Sequence, residues 1–468
     1  MNVMADVSAP AAANGNERTF FGQPRGLAYI VFTEAWERFS FYGMQALLVL
    51  YMTGHLLKPG TVEGVIGFAG LRTAVAAVFG QLSLQAFATQ LFGLYIGMIY
   101  FVPVLGGLLG DRVLGRSKAV IAGGVLMAGG HFLMAFESAF LFALALLILG
   151  SGLLKGNLAA QVGGLYAKND SRRDTAFSLY CMSINVGAFV APLVCGTLGE
   201  LYGWHYGFGV AGVGMLIGIV IYLHGRDYLP VDAVRARGER VRLQSGDART
   251  IAALLTVLAI TGLFWTGQTQ VWNTYPLWIR DHVNRELFGA EIPVTWFQSL
   301  DSLAVLVFAP GVIWFWRWQA KRRSEPGDLV KIALGCAFFA FACVLLTIGE
   351  WTAGAGRTAL IWPTLFHFVC AAAYLYAGPI ALSLVSRAAP ISVNAMMVGA
   401  YYLALFAGGI VSGWLGRFFE VVSPATFWLL HAAIVGAGAV LILLLRRPLL
   451  REMKLASDRP AAEQGAGA

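Results

Sequence analysis

Charged residues are scarce in this chain of 468 residues, where Asp, Glu, Lys and Arg together make up 12%. Soluble domains carry about 25% charged residues. Hydrophobic residues account for 58% of the chain, and its mean hydropathy is +0.69. This composition excludes an ordinary soluble domain and predicts an all-α integral membrane protein with many spans.

Cysteine is also scarce, and its placement argues against two kinds of site. The five cysteines are Cys181, Cys195, Cys336, Cys343 and Cys370. All lie in apolar segments without CxxC spacing, so neither a disulfide framework nor a zinc site is predicted. No HExxH, GxSxG or P-loop pattern occurs, which argues against intrinsic hydrolysis and ATP drive. We therefore expect no cofactor and no metal.

The net charge of +8 would suggest nucleic acid, but the basic residues lie mostly in short loops between apolar segments. We expect the lipid bilayer as a partner and no nucleic acid. Residues 1–26 hold no apolar segment of the kind found in signal peptides. The first span is therefore expected to act as the insertion signal.

Twelve apolar segments predict twelve membrane-spanning helices. They are roughly residues 27–52, 86–110, 117–137, 139–165, 175–199, 205–224, 251–279, 294–318, 328–349, 357–386, 392–418 and 424–446. Between the first two, residues 53–85 are interrupted by Arg72 and several glycines. We expect an outer connection with a short helix there.

The loop charges predict the orientation. With both termini in the cytoplasm, the inner loops hold most of the Lys and Arg, including six arginines between residues 225 and 250. The positive-inside rule then predicts an even number of spans, with both ends on the inner side of the plasma membrane. The predicted division is a cytoplasmic tail at 1–26, a six-helix bundle at 27–224, a cytoplasmic linker at 225–250, a second six-helix bundle at 251–446 and a cytoplasmic tail at 447–468.

The loop after the second span carries the spaced residues Gly107, Asp111, Arg112, Gly115 and Arg116. Asp111 can pair with the basic residues across the helix ends. An ordinary positively charged inner loop would also explain the arginines, but the spacing resembles the inner-loop signature of the major facilitator superfamily. That resemblance implies the major-facilitator fold, with twelve transmembrane helices in two six-helix bundles around a cavity.

The first span, YIVFTEAWERFSFYGMQALLVLYM, contains Glu34, Glu37 and Arg38. One charge at the bilayer centre costs roughly 2.5–3.5 kcal/mol on insertion scales. The spacing puts all three residues on one helical face, which must point into a bundle or a wet cavity. An internal ion pair that only joins two helices is the structural alternative. A second acid beside one Arg–Glu pair favours function, because that acid is free to take a proton.

A more specific resemblance follows from several motifs. The run from Glu34 to Gly43 resembles the first-helix signature of the proton-dependent oligopeptide transporter (POT) family. Similar segments are GLLKGN at 152–157, FSLYCMSINVGAFVAP at 177–192, WHYGFG at 204–209, WFQSL at 296–300 and GPIALS at 378–383. The chain is identified as an atypical bacterial member of this family, and the resemblance covers nearly its whole length.

This resemblance implies symport of protons with di- and tripeptides through a cavity that opens alternately to each side, by a monomer that is not an enzyme. It implies proton coupling by Glu34, Glu37 and Arg38, with Lys155 at the position of the fourth-helix lysine. A lysine that snorkels from a helix end is the alternative for Lys155, but this residue lies near mid-span.

The departures from the family pattern concern charge. Gln45 stands where a first-helix arginine is usual, and Gln268-Thr269-Gln270 covers the place of a usual seventh-helix acid. The outer gate is therefore expected to be neutral. The family's tenth-helix glutamate falls at Tyr374, its eighth-helix asparagine at Asp301 and its eleventh-helix tryptophan at Tyr401. The extra helices that many bacterial members insert between the halves do not fit into 225–250.

Asp301 is a lone acid in the apolar segment VTWFQSLDSLAVLVFAP. An acid in such surroundings suits proton uptake, so we expect Asp301 in proton coupling. It would replace the missing glutamate by meeting the substrate's ammonium group or by pairing with Lys155. An acid near the outer end of its helix that simply reaches water is the alternative.

Further candidates for the substrate cavity combine apolar area with a polar tip. The expected substrate-binding residues are Tyr42, Gln45, Lys155, Asn185, Gln268, Trp272, Asn273, Trp296, Asp301, Tyr374 and Tyr401. His131 and His367 also lie within spans, and for both we favour a satisfied packing role over a proton relay. Two other functions stay open: a transporter of another small zwitterion or an anion, and a non-transporting membrane sensor or enzyme.

Overall fold

The computed structural model describes residues 19–167, 170–230, 246–322, 324–390 and 392–453, and nearly all of them are helical. The helices are α1 Arg25–Tyr51, α2 Phe68–Phe79, α3 Leu84–Leu109, α4 Arg116–Leu133, α5 Phe140–Gly164, α6 Arg172–Ala191, α7 Thr197–Leu201, α8 Trp204–Gly225, α9 Asp247–Gln270, α10 Thr274–His282, α11 Trp296–Lys321, α12 Asp328–Ala353, α13 Ile361–Ala388, α14 Asn394–Leu415 and α15 Pro424–Glu452. A small hairpin of β1 Glu286–Leu287 and β2 Ala290–Glu291 precedes α11.

Each of the twelve predicted spans contains a long helix. Ten helical segments of the described chain are long and apolar enough to cross a membrane. The two long helices outside that set are α1 and α4. The first has 27 residues and includes the charged residues of the first span, and the second has 18 residues with four glycines. Both helices are long, but their charged or small residues lower their mean hydropathy.

The segment 53–85 matches its prediction of a short helix. Its helix α2 has 12 residues, which corresponds to about 18 Å and is too short to cross about 30 Å of hydrocarbon. Left-handed Gly67 precedes α2, and Gly80, with φ of 79°, follows it. Most of its residues are exposed, and only Val75 is buried.

The predicted span 251–279 is interrupted, which the apolar pattern did not indicate. Helix α9 ends at Gln270, and α10 begins at Thr274. The Gln270 side chain bridges the break: its Oε1 accepts a hydrogen bond from the Thr274 hydroxyl, and its Nε2 donates to Ser412 O at 3.0 Å. A polar side chain thus satisfies backbone and hydroxyl groups where the helix stops.

The helices pack mainly within two groups. In the first half, α1 lies against α6 and α8, and α5 lies against α3 and α4. In the second half, α12 lies between α13 and α15, and α9 packs on α14 and α15. The halves meet through α3 with α14 and through α6 with α11. We call the face with the start of α1 and the end of α15 the terminal face, and the other the opposite face.

Glycines permit the closest helix approaches. A Cβ on Gly106 of α3 would lie 2.1 Å from the backbone oxygen of Gly152 on α5. The next residue, Gly107, has no heavy atom within 4 Å of its ideal Cβ position. Packing therefore requires a glycine at position 106 but not at position 107. Such close backbone contact is a common way for membrane helices to associate.

We expect Gly106→Ala to destabilise the protein by about 1–3 kcal/mol, the usual cost of overpacking. The matched control is Gly107→Ala, which we expect to be neutral or slightly stabilising because alanine favours helix. Thermal unfolding of the two purified variants in detergent provides the measurement. Equal unfolding temperatures for the two variants would contradict the packing role of Gly106.

Candidate functional site

The charged cluster of α1 forms inside the first half. Arg38 Nε lies 2.6 Å from Glu34 Oε1 and 2.9 Å from Glu37 Oε2. Both glutamates are 0% exposed. Helix α6 covers the cluster closely, since a Cβ on Gly187 would lie 2.7 Å from Arg38 Cβ. One guanidinium thus faces two buried carboxylates.

The cluster is not fully satisfied. Both carboxylate oxygens of Glu37 are buried without a hydrogen bond. A buried polar atom left without a hydrogen bond costs about 1–3 kcal/mol, and more when it is charged. Of the two acids, Glu37 meets Arg38 only as an ion pair, so it is the group best placed to accept a proton.

Lys155 approaches the cluster from α5 without an ion pair to it. Its Nζ is buried without a hydrogen-bond partner and lies 3.8 Å from the centroid of the Phe41 ring. The Tyr100 ring is 5.5 Å away. Ring faces attract a cation, and the attraction grows when the cation is desolvated. The lysine is therefore held by aromatic faces, with its ammonium hydrogens unused.

Aromatic side chains of the second half surround the same region. Tyr42 of α1 contacts Trp272 across the halves, with ring centroids 5.2 Å apart. Trp265 lies edge-on to Tyr374 and Tyr401, at 6.3 and 6.1 Å. The hydroxyl of Tyr401 donates to Gly378 O at 3.2 Å.

The glutamine and asparagine residues expected at the substrate site differ in their hydrogen bonds. Gln45 Oε1 is buried without a partner, and Gln268 Oε1 accepts from the Cys370 thiol at 3.6 Å. Asn185 Nδ2 donates to Cys181 O of its own helix, at 3.0 Å.

Two of the expected substrate residues make hydrogen bonds between the halves. Asn273 Nδ2 donates to Thr89 O at 3.2 Å, so its amide joins the halves near the opposite face. Trp296 begins α11, is 41% exposed, and donates from Nε1 to Thr197 Oγ1 at 2.7 Å. The structure thus places these two side chains in the contact between halves, because hydrogen-bond partners from the other half hold them there.

Asp301 lies beside a histidine of α13. Its Oδ1 lies 3.8 Å from His367 Nδ1, and this is the only ionic contact of Asp301 within the described ranges. Asp301 and Lys155 form no ion pair in this conformation. The packing role favoured for His367 was incomplete, because both of its ring nitrogens are buried without hydrogen bonds. His131 fits that expectation better, since its Nε2 lies 2.6 Å from Ser40 Oγ.

The inner-loop motif forms the expected local pair. Arg116 Nε donates to Asp111 Oδ1 at 2.9 Å across the ends of α3 and α4. Gly115 between them has a φ of 81°, a conformation that favours glycine. Arg112 is exposed. The motif thus closes the α3–α4 turn by a half-exposed ion pair.

The two halves are joined at the opposite face. Glu200 of α7 accepts hydrogen bonds from the backbone N–H groups of Val294 and Thr295, both at 2.9 Å, and from the Thr295 hydroxyl at 2.8 Å. These groups precede the first turn of α11, so a carboxylate of one half caps a helix of the other. Arg280 donates to Thr53 Oγ1 at 3.2 Å on the same face.

The other hydrogen bonds seen between the halves also lie toward the opposite face. They are Ser83 with Glu420, Arg417 with Phe79 O, Thr89 with Gly413 O and Ser299 with Phe189 O, besides those of Asn273 and Trp296. Nearer the terminal face, Phe101 and Phe406 meet through their rings, with centroids 5.5 Å apart. Across the described chain, hydrogen bonding between halves is thus concentrated at one face.

The chain matches a known protein family over most of its length. The model of the POT family matches residues 117–231 and 233–429. The chain belongs to the POT family. Relatives include the "Uncharacterized transporter YclF" of Bacillus subtilis, 30% identical over 93% of this chain and 96% of that protein. A "Di-/tripeptide transporter" of Lactococcus lactis subsp. cremoris is 29% identical over 94% and 98% of the two chains.

Solved structures agree with the POT family assignment. The crystal structure of a peptide transporter POT in complex with sulfate superposes with a TM-score of 0.82 at 27% identity, covering 93% of this chain and 97% of that one. A structure of peptide transporter POT with alafosfalin gives a TM-score of 0.80 at 28% identity, again over 93% and 97%. The family and these relatives are transporters and not enzymes.

The Glu200 cap provides a test of the opposite face. In Glu200→Gln, the amide nitrogen cannot accept the backbone N–H that one carboxylate oxygen accepts, so at least one bond between the halves is lost. A hydrogen bond to a charged group contributes about 1.5–3 kcal/mol, so we expect a shift of about tenfold or more toward opening of this face. The measurement is the distance distribution between spin labels on Ser138→Cys and Arg357→Cys.

The labels require a Cys181→Ser background, because Cys181 is the one cysteine that is exposed in the described chain. The control is Glu350→Gln, since Glu350 accepts from Trp278 and Thr358 within one half. Unchanged label distances in Glu200→Gln, or equal changes in both variants, would contradict the role of Glu200.

Proposed function

We propose that this chain is a proton-coupled symporter that imports di- and tripeptides by alternating access. The observation that carries the proposal is the buried cluster on α1, in which one arginine faces two glutamates and Glu37 has no hydrogen bond. A protein that spans a membrane retains such residues for function far more readily than for stability. The named peptide transporters among its relatives supply the cargo.

The proposed architecture is the major-facilitator fold, with twelve transmembrane helices in six-helix bundles at 27–224 and 251–446. The linker at 225–250 and the tails at 1–26 and 447–468 are proposed to be cytoplasmic, in a bacterial inner membrane. This rests on the basic inner loops. With that orientation the terminal face is the cytoplasmic face. Because the hydrogen bonds between halves lie toward the other face, the described conformation is inward-facing.

In the proposed cycle, protons from outside reach Glu34 and Glu37 when the opposite face is open. Protonation of Glu37 weakens its attraction to Arg38, which then pairs more fully with Glu34. Lys155, held only by rings in this conformation, is available to pair with a carboxylate in another one. Proton and peptide shift the balance of the two conformations only through their different affinities for each.

The proposed peptide site lies between the halves near Tyr42 and Trp272. It is lined by aromatic and polar side chains of both halves: Tyr42, Gln45, Asn185, Gln268, Trp272, Tyr374 and Tyr401, with Lys155 and Asp301 as its charged members. Lys155 suits a peptide carboxylate, and Asp301 suits an ammonium group. Asn273 and Trp296 are proposed instead to contribute to closure of the opposite face, and the protein is proposed to act as a monomer.

Another small zwitterion or an anion is the second candidate cargo. It is favoured by the uncharged residues Gln45, Gln268 and Tyr374 at positions where the family usually carries charge. Competition separates the two candidates: excess Ala-Ala should suppress uptake of a labelled dipeptide by purified protein in liposomes. Proton-coupled flux in liposomes that contain only this protein would also exclude a non-transporting sensor.

We expect Glu37→Gln to lose accumulation of dipeptide against a gradient, because the amide cannot take up and release a proton. Counterflow exchange of labelled for unlabelled peptide needs no net proton movement and should persist. Both assays use proteoliposomes with an imposed pH gradient. The control is Glu63→Gln, an exposed acid whose Oε2 accepts from Gly60 N–H. Accumulation at the wild-type level in Glu37→Gln would refute its role in coupling.

A further inference from the structure

A pair of ionisable groups in the second half lies outside the cluster of α1. Asp301 is on α11 and His367 is on α13, and the facing atoms Oδ1 and Nδ1 are 3.8 Å apart. Their side chains are 14% and 1% exposed. At 3.8 Å the contact is too long for a hydrogen bond but short enough to become one through a side-chain rotation.

Three polar atoms of this pair lack partners. Asp301 Oδ1, His367 Nδ1 and His367 Nε2 are all buried without a hydrogen bond. Each such atom is costly in an apolar interior. A proton shared by the pair converts Nδ1 and Oδ1 into donor and acceptor of a charge-assisted hydrogen bond. The geometry is therefore that of a site ready for a proton.

No lysine or arginine in the described ranges forms an ion pair with Asp301. Titratable side chains that interact electrostatically with Asp301 include Tyr275 from α10, Cys370 and Tyr374 from α13 and Tyr42 from α1. Tyr275 also lies edge-on to the His367 ring at 5.1 Å, and its hydroxyl is buried without a partner.

Each member of the pair has a distinct position. The side chain of Asp301 is partly exposed, whereas that of His367 is buried and lies against the rings of Tyr275 and Phe366. A proton that enters on Asp301 can pass to His367 Nδ1 without crossing apolar space. Imidazole is suited to this task because its charge changes within the physiological pH range.

We propose that Asp301 and His367 together bind one proton, as a second coupling site in the second half of the chain. This inference rests on the proposed symport function and adds His367 as a residue of that function. The proton forms an N–H bond on His367 Nδ1 or an O–H bond on Asp301, and no other bond changes.

The site is well placed to influence the contact between halves. Asp301 is two residues from Ser299, whose hydroxyl donates to Phe189 O of the first half at 2.8 Å. When the shared proton draws Asp301 toward α13, α11 is pulled relative to α6. A ligand that favours one arrangement of packed helices in this way shifts the conformational balance.

The transport test measures the proton-to-peptide ratio from the reversal potential of Ala-Ala flux in proteoliposomes. We expect Asp301→Asn and His367→Gln each to lower the ratio by one proton per peptide. The double variant should lower it no further, because the residues share one site. The matched control is His131→Gln, since His131 is buried in the first half and already bonded to Ser40. An unchanged ratio in either single variant, or a further loss in the double variant, would overturn the proposal.

A second measurement does not depend on transport. Infrared difference spectra of the purified protein in lipid, recorded as the pH is lowered, should show a protonation signal from a carboxyl and an imidazole that is absent from both single variants. Its presence without peptide flux would reject the symporter and keep the proton site. Its persistence in Asp301→Asn or His367→Gln would reject the site. Thermal unfolding verifies folding, and if one variant fails to fold, the other provides the same test.

Discussion

Two carboxylates lie beside one guanidinium in an apolar interior. This arrangement is costly, and it is the constraint on which the rest of the structure depends. Glu34 accepts a hydrogen bond from Arg38, but Glu37 is left with an ion pair and no hydrogen bond. Helix α6 approaches through Gly187 to cover the cluster, and Lys155 is held nearby by aromatic faces alone. This arrangement keeps the positive charge of Lys155 near the cluster without fully neutralising the carboxylates. A site that was fully paired would be more stable and less able to exchange a proton.

Local patterns in the sequence were sufficient for the helices and for this cluster. Runs of apolar residues predicted the positions of the long helices in the described chain, because the hydrocarbon thickness sets a minimum length for an apolar span. Three charges within five positions predicted the cluster, since a charge in an apolar helix needs a partner close by. The interruption after Gln270 was missed, because it depends on a glutamine that reaches Ser412, which is remote in sequence.

Contacts between distant helices account for the other differences. Asp301 was singled out as a lone acid, but its neighbour His367 belongs to a helix whose rotation no local pattern reveals. Trp296 is a second example. Its apolar ring with a polar N–H suggested a cavity residue, and in the structure that N–H donates to Thr197 of the other half. Residues of the two halves come together only through the packing of α6 with α11 and of α3 with α14.

Glu200 has a consequence for the integrity of α11 itself. Helix ends carry backbone N–H groups that need acceptors, and here the acceptor for Thr295 comes from the other half of the molecule. Separation of the halves therefore leaves the N–H groups of Val294 and Thr295 without their carboxylate acceptor, and water must replace it. Amide hydrogens around Val294 and Thr295 then become reporters of the transport cycle, exchanging with solvent only in molecules whose opposite face has opened.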